Sequence, residues 1–157
     1  MNDQDQAHLR RAIEVSADAR QHGNHPFGAV LVDRTGREVA AAENTVVTDG
    51  DVTAHAETNL VRHAGGTWSA AELASYTLYS SCEPCAMCSG AIFWSGIGRV
   101  AFALSAEGLL AFFDNRPEAP LNRIGSRLLL TPADGIEVIG PALEDEAAAA
   151  HAGFWGS

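Results

Sequence analysis

Thr53-Ala54-His55-Ala56-Glu57 and Ser81-Cys82-Glu83-Pro84-Cys85-Ala86-Met87-Cys88 are the two stretches that organise this chain. The imidazole of His55 and the thiolates of Cys85 and Cys88 form a set of soft N and S donors. Such a set suits Zn²⁺ and leaves its fourth tetrahedral position open for water, as in a catalytic rather than a structural site. Glu57, two residues past the histidine, is placed to handle protons. Residues three apart on a helix share a face, so both thiols of a C-x-x-C can reach one ion. A helix start carries partial positive charge, which favours thiolate over thiol, and Pro84 suits a first turn. Taken alone, the C-x-x-C could equally be a redox pair, and His55 a buried core histidine. Their joint occurrence with Glu57 and Pro84 favours a metal. Cys82 is expected to be a core or loop residue, because a fourth thiolate would shut out the water.

Working outward, Asp3 to His22 has apolar residues at helical spacing (Leu9, Ala12, Ile13, Ala17) and Gly23 as a stop. Phe27 to Asp33 reads as a strand, Arg34-Thr35-Gly36 as a turn and Arg37 to Glu43 as the paired strand. Asn44 to Val52 reads as a loop. Thr53 is expected to cap a helix running to about Ala64, ended by Gly65-Gly66. Tyr76 to Ser80 looks like a central strand, and Cys85 to Trp94 a helix ended by Gly96. Arg99 to Leu104 is a further strand, followed by a short helix around Glu107 to Phe113. Asn115 to Asn122 reads as a loop. Arg127 to Leu130 and Ile136 to Ile139 are strand candidates, and Glu144 to Ala152 a helix. Alternating helices and strands predict a three-layer α/β domain spanning residues 1–157.

The bulk numbers bound the function. At 157 residues with 46% apolar content, the chain can bury a core. The formal net charge is -10, against a protein whose affinity comes from neutralising phosphates. All ten basic residues are arginine, which excludes Schiff-base chemistry through a lysine. Three cysteines, two of them in one C-x-x-C, predict a reducing compartment rather than a disulfide framework. Met1 to Gln21 lacks a signal-type apolar segment and no run is long enough for a membrane span, so a cytoplasmic enzyme is expected.

His-x-Glu with Pro-Cys-x-x-Cys is a known signature of zinc deaminases. With Pro26-Phe27-Gly28-Ala29-Val30 and Asn44, these motifs make the chain resemble the cytidine-deaminase-like superfamily, in particular its guanine-deaminase-like and tRNA-adenosine-deaminase-like branch. The resemblance covers roughly the first two thirds of the chain. It implies an α/β/α fold with a mixed five-stranded sheet, a zinc held by His55, Cys85 and Cys88, and a homodimer. Glu57 would relay a proton from the activated water to a ring nitrogen and then to the leaving amine. Asn44 falls where relatives bind the base or sugar, Phe27 where they line the pocket, and the Ala56 N–H where they meet a ring acceptor. Trp94 matches an aromatic near the ring in guanine deaminases, and Asp114 is the counterpart of an acidic residue they use. His25 adjoins that pocket, and the remaining histidines (His8, His22, His63, His151) are expected at the surface or in caps. Phe154 and Trp155 suggest a lid, formed by a C-terminal segment from about residue 141 that is exchanged between subunits in guanine deaminases.

The substrate expected from these features is a small nucleobase or nucleoside. The wording Leu78-Tyr79-Ser80-Ser81-Cys82-Glu83-Pro84-Cys85 is closer to guanine deaminases than to tRNA-editing enzymes. Cytosine, cytidine, guanosine or an aminotriazine stay open. A tRNA adenosine deaminase would need a basic surface, which the acidic, lysine-free composition does not offer. A catalytically silent zinc-binding module is the non-enzymatic alternative, and it would have no need of Glu57.

Overall fold

The computed structural model describes residues 1–113 and 124–155. Five strands form one sheet: β1 (Gly28–Val32), β2 (Glu38–Glu43), β3 (Thr77–Cys82), β4 (Arg99–Leu104) and β5 (Glu137–Ile139), in the order β2-β1-β3-β4-β5. The β1–β2 and β1–β3 pairs are antiparallel, while β3–β4 and β4–β5 are parallel. The sheet is therefore mixed. Its inner strands bury nearly every side chain, as strands covered on both faces must.

Side-chain alternation divides the core in two. Val30, Val32, Tyr79, Ala101 and Ala103 face one way and meet Leu9, Ala12 and Val15 of α1 (Asp3–Gln21). Ala29, Leu31, Leu78 and Val100 face the other way. They meet Leu60 and Ala64 of an α-helix at Ala56–Thr67 and Ile92 of another at Ala86–Ser95. In chain order the remaining helices are α2 (Val46–Asp49), α3 (Ala56–Thr67), α4 (Ala70–Leu73), α5 (Ala86–Ser95), α6 (Ala106–Leu110), α7 (Ser126–Leu129) and α8 (Glu144–His151). The C-terminal helix α8 lies beside α1. The expected three-layer α/β/α architecture is what the chain adopts.

Gly28 shows how tightly α1 seats on the sheet. A Cβ there would lie 2.6 Å from the Ala12 carbonyl oxygen and 2.5 Å from the Ser16 nitrogen, both backbone atoms. A buried ion pair pins the same helix at its start. Asp5 takes bonds from Arg99 Nη1 at 2.8 Å and Tyr79 Oη at 2.7 Å, while its other oxygen closes a capping box with Asn2.

Four local expectations are corrected. The stretch Asn44 to Val52 contains a helical turn, α2. Thr53 is not the cap of α3: His55 occupies that position without a side-chain cap bond, and Thr53 instead closes on Asp51. The helix runs through Gly65-Gly66, because Trp68 N–H bonds the Ala64 carbonyl and the Trp68 ring packs on His63 and Tyr76. Those contacts outweigh the roughly 1 kcal/mol cost of each helical glycine. Finally, 127–130 is not a strand: residues 127–129 lie in α7, Leu130 is its cap, and the first turn is held by Glu83 accepting the Arg127 N–H. Its leucines carry no β-branched or alternating pattern to oppose a helix. Asp114 and the Asn115 to Asn122 loop lie outside the described residues.

Candidate active site

Helices α3 and α5 pack together, and their starts meet beside the carboxyl end of β3. His55 and Cys85 are the residues immediately before each helix, and neither side chain caps its own helix. Both are thus left to point elsewhere. Cys85 Sγ lies 3.7 Å from His55 Nδ1, Cys88 Sγ lies 3.6 Å from the same nitrogen, and the two sulfurs are 3.6 Å apart. Tetrahedral zinc, with Zn–S about 2.3 Å and Zn–N about 2.0–2.1 Å, requires S···S separations of about 3.8 Å and S···N of about 3.6 Å. The three distances are edges of that tetrahedron rather than ordinary hydrogen bonds, so the donor set fits the ion. The sulfur chemistry agrees. Cys88 shares its proton with Cys85, which with His55 nearby holds Cys85 down at about 4 while Cys88 is pushed up. Two adjacent sulfurs resist double ionisation, and a dication removes that conflict.

Among the described residues, His55, Cys85 and Cys88 are the one cluster of metal-type ligands. Cys82 stays outside it. It is 2% exposed on β3, and burial pushes its thiol well up.

Glu57 is the second residue of α3, in its first turn, and is 5% exposed. Burial, then the charge on Cys85, raise its carboxyl above the usual range. Ser80 Oγ donates to Glu57 Oε1 at 2.8 Å, and Glu57 Oε2 lies 3.5 Å from Cys88 Sγ. The carboxylate is thus locked on one oxygen while the other faces the metal triad. A carboxyl whose pKa is moved toward neutrality and whose reach includes that triad can pass a proton in both directions.

The expected surround assembles in part. Asn44 is 1% exposed at the end of β2, where its N–H bonds the Phe27 carbonyl, and the next residue, Thr45, bonds Ala54 beside His55. Its Oδ1 accepts the Val46 N–H at 3.1 Å, and its Nδ2 is buried without a partner. Ala56 is fully buried at the first position of α3, where helix N–H groups lack intrahelical acceptors. Phe27 packs on His151 and Trp155. Trp94 is not gathered here: it is 84% exposed on α5 and meets only Phe93 among described rings.

Sequence reasoning missed several supports. Ser80 gave no signal beyond a polar residue in a strand. Glu83 binds across the chain, accepting from Ala106 N, Arg127 N, Arg127 Nε and Arg127 Nη2 at 2.9–3.1 Å. Burial pushes its carboxyl up, but these donors outweigh that and hold it low. His151, expected at the surface or in a cap, is the last residue of α8 and is 1% exposed between Phe27, Phe112 and Trp155. His25 is half-buried against Phe154 and Trp155.

The geometry agrees with known proteins. Residues 2–104 match the family described as the cytidine and deoxycytidylate deaminase zinc-binding region. A Schizosaccharomyces pombe protein described as a probable cytosine deaminase is 49% identical over 156 residues, 99% of this chain and 94% of its own length. The guanine deaminase of Bacillus subtilis is 42% identical over 96 residues, 60% of this chain and 61% of its own. The solved guanine deaminase of Nitrosomonas europaea superposes with a TM-score of 0.78 at 27% identity, covering 96% of this chain and 84% of that one. A similar structure at 26% identity, with the same TM-score and coverage, was solved with 8-azaguanine bound. The chain therefore belongs to the zinc-binding cytidine and deoxycytidylate deaminase family, and is a hydrolase of C–N bonds that removes amino groups.

Proposed function

We propose that the protein deaminates a free nucleobase, guanine being the first candidate, with Glu57 carrying the protons. The observation that carries this reading is the buried Glu57 carboxylate, fixed by Ser80 and open toward His55, Cys85 and Cys88. Those three residues hold zinc, which when bound supplies a Lewis acid that makes water acidic near neutral pH. Glu57 accepts a proton from the attacking water and delivers it to a ring nitrogen of the base, then takes the remaining proton of the added hydroxyl as the carbonyl forms and passes it to the departing amine. Asn44 Nδ2 donates to an acceptor on the base, the Ala56 N–H to a second, and Phe27 covers the ring. Asp114 is assigned the recognition of a ring N–H.

Guanine is favoured by the fold-wide similarity to the Nitrosomonas europaea enzyme and by the 8-azaguanine held in its structural relative. Cytosine is the second reading, favoured by the nearly full-length similarity to the fission-yeast protein. Both bases carry the exocyclic amine on a carbon double-bonded to a ring nitrogen, so the same addition of water and loss of ammonia serves either. An ammonia-release screen over guanine, cytosine, adenine, their nucleosides and aminotriazines decides, run with and without a chelator. Release from a free base that stops on chelation and returns with zinc is the expected result. No release from any of them would end the enzymatic reading of the substrate pocket.

The chain acts as one catalytic unit, and we assign it a homodimer. Phe93, Trp94 and Met87 on α5 and Leu128 and Leu129 on the adjoining α7 are all exposed, an apolar face suited to a second copy. Trp94 then serves the base across that interface. The C-terminal Phe154 and Trp155 act as a lid over Phe27 and His25. Three free cysteines, two of them in the metal triad, fit the reducing cytoplasm. Among the described residues no helix is long and apolar enough to cross a membrane.

A further inference from the structure

We infer that Asn24 is a positioning residue for the substrate: its side chain caps α2 from outside and thereby fixes the amide of Asn44. The inference rests on the reading of Asn44 as a substrate contact. Helix α1 ends at Gln21 with His22 as its cap, and Gly23 beyond it, with a φ of 88°, turns the chain so that its N–H bonds the Arg20 carbonyl and the Asn24 N–H that of Ala19. The residue after such a glycine ordinarily packs an apolar side chain. Here it is an asparagine, 1% exposed, and a buried amide needs partners.

Those partners are on α2. Asn24 Oδ1 accepts the N–H of Val47 at 3.2 Å and of Thr48 at 3.0 Å, and Asn24 Nδ2 donates to Thr48 Oγ1 at 3.1 Å. The residue in the usual capping position, Thr45, makes no cap bond. Its hydroxyl oxygen instead accepts from Asn59 Nδ2 at 2.9 Å. The duty passes to the two asparagines, Asn44 taking the Val46 N–H and Asn24 the next two.

That division sets which way the Asn44 amide faces. Its oxygen must meet the Val46 N–H, so the Nδ2 group turns the other way, buried and without a partner. Without Asn24, the Val47 and Thr48 N–H groups compete for the Asn44 oxygen, the nearest side-chain acceptor of the kind helix starts recruit. The amide then swings, and its donor leaves the base.

The test uses the zinc-loaded full chain and whichever of guanine and cytosine the wild type turns over faster. Asn44→Ala is expected to raise KM. Asn24→Leu, similar in volume but without an acceptor, should raise KM by about tenfold, the effect of one lost hydrogen bond, with kcat and zinc content little changed. Asn24→Asp keeps the acceptor oxygens and should recover most of the loss. In the Asn44→Ala background, Asn24→Leu should add nothing. Thr48 is exposed, so Thr48→Val folds even if Asn24→Leu does not; it removes the Oγ1 acceptor that orients the Asn24 amide, and should raise KM in wild type and not in the Asn44→Ala background. An unchanged KM in Asn44→Ala overturns the Asn44 reading and this inference together. A raised KM in Asn44→Ala beside an unchanged one in Asn24→Leu or Thr48→Val overturns the inference alone. So does a full further rise in the double variant, or an Asn24→Asp enzyme as impaired as Asn24→Leu.

Discussion

Ser80 Oγ donates to Glu57 Oε1 at 2.8 Å, and both side chains are buried. The strand thus holds the helix's carboxylate by one oxygen, leaving the second to work. The bond restrains rotation of the Glu57 side chain, which suits the proton-carrying role proposed for it, since such a group must stay within reach of two positions in turn.

Glu57→Gln keeps the volume and the Ser80 contact but cannot carry a proton. We expect zinc content at the wild-type level and turnover lower by about 10²–10⁴-fold. Metal analysis beside an ammonia assay checks it, and an active Glu57→Gln protein would end the assignment.

Asp5 anchors α1 to β4 through Arg99, whose bonds hold its carboxyl well below the ordinary carboxylate range. The carboxylate form is the one the fold favours. Its stabilisation is therefore whole above about pH 4, the unfolded value, and drains as pH falls below it. Asp5→Asn should cost about 2–4 kcal/mol at neutral pH by leaving Arg99 and Tyr79 poorly paired. Urea melts at pH 7 would show it, and a loss under 0.5 kcal/mol would contradict a structural role.

His151 is pushed down to about 4 by burial, with the Arg20 charge adding to it. Its Nδ1 accepts the Trp155 indole N–H at 3.1 Å, so the ring is neutral with its proton on Nε2. An unfolded histidine titrates near 6.5, so the neutral form contributes fully above that value and loses its contribution as pH falls toward 4, by about 2–3 kcal/mol. His151→Phe should flatten that part of the stability–pH curve. Parallel curves for the two proteins between pH 7 and 4.5 would rule the histidine out.

Trp94 stands 84% exposed beside Phe93. Trp94→Glu should convert a dimer to monomers in sedimentation at micromolar protein, because a charge buried in an apolar interface is costly. A wild type that sediments as a monomer would refute the assigned interface.

Truncation after Ala152 removes the rings that pack on His25 and Phe27. KM should rise several-fold if the tail covers the base, by loss of about 1 kcal/mol of aromatic contact. Unchanged turnover and KM in the shortened protein would dispose of the lid.

The candidate metal site was legible along the chain because its residues come in short, fixed spacings. His55 and Glu57 lie within one turn, as do Cys85 and Cys88, and two helix starts need only to be brought together. The strands were legible for a similar reason: Val, Leu and Ala runs between Gly and turn residues leave few alternatives. Only the tertiary structure decided what crosses between elements. Ser80 reaches Glu57 from 23 positions away in the chain, Asn24 reaches α2, and His151 comes from the far end to pack on Phe27. Each is a polar residue that looks ordinary in sequence, since a lone Ser, Asn or His is as much at home in water. Burial supplies the physical reason for their meaning: once removed from solvent, each must find a partner, and only the packed chain specifies which one.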